Sequence, residues 1–431
     1  MHSLQIEKQL HQTEDIKINI TTNWLFNLRL PILLYCGYKL CHRNFFLQFF
    51  DIVMYGILGN ILIIVITSFI NKPLLKLLFD QDLTLSQLAM FSCVTGMVDP
   101  ITICYHRTNK IFYLFLGVFL FGNATCVDLF SPTSRVGYVS NHTVSATTYG
   151  YLLLNFILDF VFGILLGIAV GLFTAYLSKT AKGNQSSHYY QPGIAVAGTA
   201  LVYSLACYWT LSALFAVLTC CFVQERYVFI NFTRASIVAV KDGLESLAKL
   251  MEGFFYILVG YLLNRVLVEE VGLQVMMFMS VSLVVKAIVF TLISLLLNIK
   301  KKTPGGEMLK ITAMLVIVGS SMPRSWALLT TFQGGDHYDF FYNTHLLIIT
   351  VSLVFDTFAA GIIYNQLEEM EDEEEGEPSG FVKWITKTEK ELFLLFQGDE
   401  EELKADITRK EEEEWELQIK KLEQHSYHQD E

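Results

Sequence analysis

Residues 150–177 read GYLLLNFILDFVFGILLGIAVGLFTAYL and carry a single charged side chain, Asp159. A helix of about 20 apolar residues crosses the hydrocarbon core of a bilayer, so this segment is long enough to span a membrane.

Together with this segment, about 11 such apolar stretches occur along the chain. They lie at Trp24–Cys41, Phe50–Ile70, Leu83–Tyr105, Ile111–Phe130, Gly150–Leu177, Gly193–Trp209, Leu211–Val223, Ser246–Val266, Gly272–Ile299, Met308–Thr330 and Asn343–Tyr364. The sequence therefore predicts an all-α, polytopic membrane bundle of about 11 transmembrane helices. The stretch from Gly193 to Val223 is either two short helices or one helix with an interfacial piece.

The composition excludes a soluble globular domain. The chain of 431 residues is 53% hydrophobic and only 17% charged, whereas soluble proteins are about 45–50% apolar and about 25% charged. The net charge of −11 comes from the acidic stretch after Gln366, so it gives no argument for a nucleic-acid partner. We divide the chain into a polar segment at 1–22, a transmembrane domain at 23–365 and an acidic tail at 366–431.

Loop charges predict the orientation of the chain in the membrane. With the loops numbered alternately, one set carries twelve Lys and Arg residues and the other carries four. Because positively charged loops remain in the cytoplasm, the first set and the tail are predicted to be cytoplasmic. The N-terminus is then outside, and Asn141 of the sequon Asn141-His142-Thr143 becomes a glycosylation candidate in an outside loop. We expect a multi-pass protein of the plasma membrane or an endomembrane.

Two predicted spans are interrupted by Gly and Pro beside a charge. One reads VTGMVDP at 94–100, and the other reads GSSMPRS at 319–325. Interruptions free backbone carbonyls, which are tolerated at membrane depth only where they line protein or water. The two lie seven spans apart, an odd offset that reverses orientation, as inverted repeats around a midplane transport site require. Charged residues within spans are functional candidates, and here they are Asp99, Asp128, Asp159, Glu252, Lys286, Arg324 and Asp356.

The order of several motifs resembles the sodium/proton exchanger family, the monovalent cation/proton antiporters. Residues 30–38 (LPILLYCGY) are similar to the family's early LPPI…GY helix, and 98–100 (VDP) to its unwound A-V/T-D-P-V helix. Residues 121–128 (FGNATCVD) resemble its F-G-E-S-x-x-N-D helix, and 220–233 resembles its CC-Q-K-Y-V…N-I-S loop. Glu252 falls where the family has S-E-T, Lys286 where it has Arg, and 319–324 on its G-G-L-R-G-A. The family has about two further helices before the first motif, whereas residues 1–22, which precede this motif here, are polar.

The resemblance implies an inverted-repeat antiporter fold with two unwound crossing helices, and sodium/proton exchange that serves pH and sodium homeostasis. Asp128 and Asp99 would bind the ion, and Arg324 would balance the charge of the carboxylates and hold the two crossing helices together. Glu252 or Asp128 would pair with Arg324 in place of the family's Glu at position 123. A carboxylate inside a span can hold either a proton or a sodium ion, and this competition gives obligatory exchange. Na⁺ and H⁺ would be the substrates, with a homodimer in the lipid bilayer and a regulatory protein bound to the tail. The resemblance implies no enzymatic reaction, no cofactor and no metal beyond the transported Na⁺.

Several residues around Asp128 depart from the family pattern. Asn123 stands in place of Glu, Ala124 in place of Ser, and Val127 in place of Asn. Thr125 offers one hydroxyl, but from another face of the helix. Asn123 and Thr125 are predicted to support the site, yet the losses favour an alternative. In that alternative the chain is a transport-inactive, exchanger-like membrane protein that acts as a scaffold or a dimer partner.

The other mid-span charges have weaker links to an ion site. Asp159 and Asp356 have no counterpart in the resemblance and are interpreted as polar contacts between helices, with ion ligands as the alternative. Lys286 either snorkels toward the nearer interface or lies inside the bundle.

Overall fold

Helices form all the regular secondary structure in the described part of the chain. The computed structural model describes residues 30–41, 43–80, 83–97, 110–139, 146–181, 187–263, 268–301, 311–313, 315–316 and 343–352. In chain order the helices are α1 (Leu30–Leu40), α2 (Arg43–Leu47), α3 (Phe49–Val53), α4 (Asn60–Phe79), α5 (Leu85–Thr95), α6 (Lys110–Val139), α7 (Ala146–Ala181), α8 (Ser187–Tyr208), α9 (Ala213–Val223), α10 (Arg234–Leu263) and α11 (Val268–Lys301). A π-helical turn at Met54–Gly59 joins α3 to α4, and α9 continues into a π-helical turn at Gln224–Val228 and a 3₁₀ turn at Phe229–Asn231. These ranges contain no strand, and the predicted all-α class is confirmed.

Several of the described helices are long and apolar enough to cross a membrane. The five that meet this description are Phe49–Phe79, Phe112–Phe130, Leu153–Thr180, Ala213–Asn231 and Gly272–Ile299. Each contains or overlaps a stretch that the sequence predicts as a span. The total of about 11 helices includes segments outside the described residues and stays a prediction. The polar segment at 1–22 and the tail at 366–431 also lie outside them.

The stretch from Gly193 to Val223 forms two helices. α8 ends at Tyr208 and α9 begins at Ala213, with a tight turn between them. Thr210 has a φ of 57° in this turn, in the left-handed region that β-branched residues rarely adopt. The Leu211 N–H donates to the Ala206 carbonyl oxygen at 2.9 Å and closes the end of α8. The structure therefore selects the first of the two alternatives that the sequence left open.

α6 lies at the centre of the described bundle. In its span 83% of the most apolar window is buried, compared with 28% in α7 and 33% in α11. The outer faces of α7 and α11 present large apolar side chains such as Leu154, Phe162 and Leu296, as expected of helices that contact lipid. The helix that carries Asp128 is therefore interior, and its neighbours shield it from the bilayer.

Glycines bring α7 and α9 into direct contact. Gly163, Gly167 and Gly171 recur every four residues on one face of α7. A Cβ atom added at Gly163 would lie 2.8 Å from the Ser212 carbonyl oxygen. The missing side chains let the two backbones approach closely, as small residues do between membrane helices. This contact sets Asp159, one turn before Gly163, against the beginning of α9.

α5 stops inside the bundle. It begins with a capping box, in which the Thr84 side chain accepts from the Gln87 N–H and the Gln87 side chain accepts from the Thr84 N–H. It ends at Thr95, where Gly96 forms the C-cap. The helix thus finishes shortly before Asp99, at the beginning of the interruption that the sequence predicts.

Candidate ion-binding site

The residues that the sequence places around the site lie on the buried helix α6. Asn123 and Thr125 are 1% and 0% exposed, and Asp128 is half-buried. The Thr125 hydroxyl donates to the Phe121 carbonyl oxygen at 2.9 Å, so its hydrogen is used within the helix. The Asp128 Oδ2 atom is shielded from solvent and has no hydrogen-bond partner in the described structure. α6 thus presents a buried carboxylate oxygen that needs a proton or a cation, because an isolated charge in apolar surroundings is costly.

Two groups from other helices act on the Asp128 carboxyl. They are the Ser212 hydroxyl at the N-terminus of α9 and the Asp159 carboxylate on α7. Ser212 is 1% exposed, and its Oγ faces Asp128 without completing a hydrogen bond to it or to any other described group. The Ser212 N–H donates to the Asp159 backbone carbonyl at 3.4 Å, which fixes α7 against α9 at this level. Side chains of α6, α7 and α9 therefore converge at Asp128.

A small cavity lies between α6, α11, the beginning of α4 and the end of α5. Three polar side chains line it, those of Asn60, Asn123 and Lys286. The rest of its wall is apolar or glycine, and consists of Gly96, Val118, Phe119, Gly122, Phe290 and Leu315. Because Gly96 is the C-cap of α5, the cavity adjoins the C-terminal end of this helix.

A π-helical turn directs Asn60 into this cavity. In a regular α-helix a residue five positions after Tyr55 would be rotated by about 140° from it. The i→i+5 hydrogen bonds of a π-helix accommodate five residues in roughly one turn, so Asn60 shares a face with Tyr55. The Asn60 side chain donates to the Gly56 carbonyl oxygen at 2.8 Å, and a Cβ added at Gly122 would collide with the Asn60 amide. The absence of a side chain at Gly122 makes room for this amide.

Lys286 lies inside the bundle and does not snorkel. Its side chain is 7% exposed and reaches the cavity. At a rise of about 1.5 Å per residue, Lys286 lies roughly 20 Å or more from either end of α11. A lysine side chain is too short to reach an interface from that depth. The structure therefore favours the second of the two interpretations of Lys286.

A chain of hydroxyl groups lies at Ser294 of α11, one turn after Phe290, which lines the cavity. The Tyr55 hydroxyl and the Ser294 Oγ are 2.6 Å apart, and the Ser294 Oγ and the Thr312 Oγ1 are 2.8 Å apart. Asp51, one turn before Tyr55, acts on the Tyr55 hydroxyl through its charge. These contacts tie three segments together at the buried face of α11, and each hydrogen bond contributes about 0.5–1.5 kcal/mol.

Sequence comparison identifies the family. The sequence model of the family described as "Sodium/hydrogen exchanger, transmembrane" matches residues 6–369 of the chain. The chain belongs to the sodium/hydrogen exchanger family. Sodium/hydrogen exchanger 3 of Arabidopsis thaliana is 25% identical over 355 residues, which cover 78% of this chain and 70% of that protein. Sodium/hydrogen exchanger 3 of Triakis scyllium is 26% identical over 247 residues, which cover 56% of this chain and 29% of that protein.

The exchanger-family fold is also found among solved structures. The sodium proton antiporter MjNhaP1 from Methanocaldococcus jannaschii, solved at pH 8, aligns with a TM-score of 0.60. The alignment covers 83% of this chain and 88% of that chain at 16% sequence identity. At that identity the likeness concerns the fold, and it confirms the antiporter fold that the motif order predicts.

The other predicted site residues of this exchanger-family chain are placed only in part. Glu252 lies on α10, where it accepts a hydrogen bond from the Tyr256 hydroxyl at 2.7 Å. The residues outside the described ranges are Asp99, Arg324, Asp356 and the glycosylation candidate Asn141. Their roles stay predictions. Within the described ranges, no group of three or more His, Cys, Asp or Glu side chains could hold a resident metal ion.

Sequence reasoning missed three buried polar residues, Asn60, Ser212 and His345. His345 is 0% exposed, packs edge-on against Phe91 at 6.3 Å between ring centroids, and has no hydrogen-bond partner for either ring nitrogen among the described residues. A search for polar residues beside a helix break would have found Ser212. Asn60 gives no such signal, because only the π-helical turn directs it inward.

Proposed function

We propose that this chain exchanges a sodium ion for a proton across a membrane, with Asp128 as the carboxylate that binds each in turn. The observation that carries the proposal is the shielded Asp128 Oδ2 on the most buried span, which has no partner in the described structure. Membership of the exchanger family, and relatives named as sodium/hydrogen exchangers, support this class of transport. The cell would use such exchange for pH and sodium homeostasis.

The exchange follows from competition at one carboxylate. Burial makes an uncompensated charge at Asp128 costly, so the carboxylate takes up either a proton or a cation. Each ion then displaces the other, and a bundle that exposes the site alternately to the two sides couples their movements. We assign Asp99 and the carbonyls freed at the interrupted helix as further oxygen ligands, and Arg324 as the balancing charge.

The alternative is a transport-inactive family member that acts as a scaffold or dimer partner. Two observations favour it. Asn123 is neutral and lines the cavity with Lys286, and the Thr125 hydroxyl donates within its own helix. The family pattern has a Glu carboxylate at position 123, and neither Asn123 nor Thr125 replaces it.

Reconstitution in proteoliposomes tests the proposal. Lumenal pH is followed with an entrapped dye while sodium is added outside. We expect a sodium-dependent pH change that Asp128→Asn abolishes. The matched control is Asp242→Asn, since Asp242 is exposed on α10 and the same charge is lost far from the interior. An Asp128→Asn variant that transports like the starting protein would refute the assignment of Asp128.

A combined variant separates exchange from the inactive alternative. Asn123→Glu, Ala124→Ser and Val127→Asn together restore the polar residues of the family pattern beside Asp128. We expect this variant to strengthen sodium-dependent proton movement. If the starting protein and the combined variant are both silent, while both fold and reconstitute, the exchange proposal fails and the scaffold alternative stands.

We also propose the orientation and the assembly that the sequence predicts. The tail at 366–431 faces the cytoplasm, Asn141 lies outside, and two copies associate, with a regulatory protein on the tail. The twelve-to-four distribution of Lys and Arg between the loop sets supports the orientation. A glycosidase-sensitive mobility shift that disappears in Asn141→Gln is expected. Antibody labelling of a C-terminal tag on intact cells would contradict the orientation, and a monomeric mass in mild detergent would contradict the dimer.

A further inference from the structure

Two acidic residues from different helices lie near the N-terminus of α9. Asp128 comes from α6 and Asp159 from α7, and the two carboxyl groups interact through space. Backbone contacts hold α7, which carries Asp159, against the beginning of α9. Gly163 lies against the Ser212 carbonyl oxygen, and the Ser212 N–H donates to the Asp159 carbonyl at 3.4 Å.

Ser212 directs an unused oxygen toward the same point. It occupies the N-cap position of α9, where a serine side chain ordinarily accepts a hydrogen bond from the first turn. Here it makes no such cap, although it is 1% exposed, and its Oγ has no partner among the described groups. A buried hydroxyl without a partner costs roughly 1–3 kcal/mol. Its orientation toward Asp128 therefore needs a reason other than helix capping.

The turn before Ser212 is also strained. Thr210 adopts a φ of 57°, and a β-branched residue in the left-handed region costs on the order of 1–3 kcal/mol. α9 begins at Ala213 directly after this turn, with Ser212 at the N-cap position. The partial positive charge of a helix N-terminus attracts carboxylates to it.

Electrostatics determine what can occupy this position. Two carboxylates that share a site cannot both remain ionised without compensation, because like charges in apolar surroundings disfavour each other. A cation between them removes that repulsion and uses oxygen ligands, which alkali and alkaline-earth cations prefer over nitrogen or sulfur. The unused Asp128 Oδ2 and Ser212 Oγ are such ligands.

We propose that Asp159 and Ser212 complete, together with Asp128, an oxygen-lined site for a monovalent cation between α6, α7 and the N-terminus of α9. The proposal rests on sodium/proton exchange at Asp128 and identifies two further ligands of the transported cation. It also explains how the site tolerates Asn123. The second carboxylate, absent at position 123 of α6, is supplied by α7 at position 159.

A purely structural role for Asp159 makes a different prediction. The hydrogen bond between Ser212 and Asp159 that joins α7 to α9 at this level uses the Asp159 backbone carbonyl. Asp159→Asn keeps that carbonyl and nearly the same shape, and removes only the charge. Ser212→Ala likewise removes an oxygen that caps nothing. Both variants therefore test ligand roles with little disturbance of packing.

The first measurement is the sodium dependence of exchange in proteoliposomes. We expect Asp159→Asn to raise the sodium concentration for half-maximal exchange by roughly ten-fold or more, since cation affinity depends on the charge count of the ligands. Ser212→Ala should raise it less, Asp159→Glu should restore part of the loss, and Asp242→Asn should leave it unchanged. If the starting protein exchanges and Asp159→Asn has the same sodium dependence, the second-carboxylate site is refuted while the exchange proposal stands.

The second measurement does not need transport. The melting temperature of the purified protein in detergent is compared in sodium chloride and in choline chloride, because a ligand that binds only the folded state raises it. We expect a sodium-dependent rise that falls in Asp128→Asn, in Asp159→Asn and, less, in Ser212→Ala. A protein that fails to exchange but shows this pattern retains the cation site and refutes only the exchange proposal. The inference is overturned if the sodium-dependent rise in melting temperature is unchanged in Asp159→Asn, or if sodium causes no rise at all.

Discussion

The contact between α7 and α9 gives a prediction whose size follows from the structure. A Cβ atom at Gly163 would lie 2.8 Å from the Ser212 carbonyl oxygen, about 0.6 Å closer than an ordinary contact between such atoms. The obstacle is backbone, so no side-chain rotation can relieve it. Gly163→Ala must instead displace α7 from α9, and overpacking of this kind costs about 1–3 kcal/mol.

The matched control is Gly150→Ala on the same helix. A Cβ at Gly150 meets nothing within 4 Å among the described atoms. Both substitutions gain the same helix propensity, about 1 kcal/mol for Gly→Ala, so the comparison cancels it. The difference in stability between the two variants should therefore be the overpacking term alone.

Thermal unfolding in detergent measures this difference. At roughly 2–4 °C per kcal/mol, we expect Gly163→Ala to melt about 2–12 °C below Gly150→Ala. Because Asp159 lies one turn before Gly163, Gly163→Ala should also weaken the sodium-dependent rise in melting temperature. Equal melting temperatures for the two alanine variants would show that α7 and α9 do not pack this closely, and would remove the basis for placing Asp159 beside Ser212.

Three further substitutions test the polar groups of the interior. Lys286→Leu removes a side chain that is buried in the cavity and should lower folded yield and melting temperature clearly more than Lys249→Leu. The Lys249 side chain is half-exposed and pairs with Glu245 on the same helix. Comparable effects from the two would contradict the burial of Lys286. Tyr55→Phe deletes the hydroxyl that contacts Ser294 and should lower the unfolding free energy by about 1 kcal/mol in chemical denaturation; no change would mean the hydroxyl chain carries no stability. His345→Leu replaces a buried ring whose nitrogens have no described partner and should raise the melting temperature, and a fall would show that the ring makes a polar contact.

The sequence alone determined the membrane-spanning class and the family. Both depend on local properties, since the length of an apolar run decides whether a helix can cross a bilayer. The order of the family motifs is likewise readable from the sequence, because it does not depend on how the helices pack. The position of Asp128 within a span was also predictable, because a charge inside an apolar run is recognisable from the sequence; the central position of its helix came from the structure. The end of α5 before Asp99 was predictable from Gly96 and Pro100, because Gly and Pro interrupt a helix within an apolar run.

Only the tertiary structure decided which polar groups meet. The sequence indicated only a polar contact between helices for Asp159. In the structure, the α7 glycines let that helix approach the beginning of α9, and the Asp159 carboxylate interacts electrostatically with Asp128. The Asn60 side chain points inward because a π-helical turn precedes it. No residue pattern in the apolar run predicts that turn. The sequence also could not decide whether the Lys286 side chain points inward. Its depth in the bundle and its neighbours on α4 and α6 determine that direction. Each outcome depends on the rotation and separation of packed helices, and these are set by contacts between residues far apart in the chain.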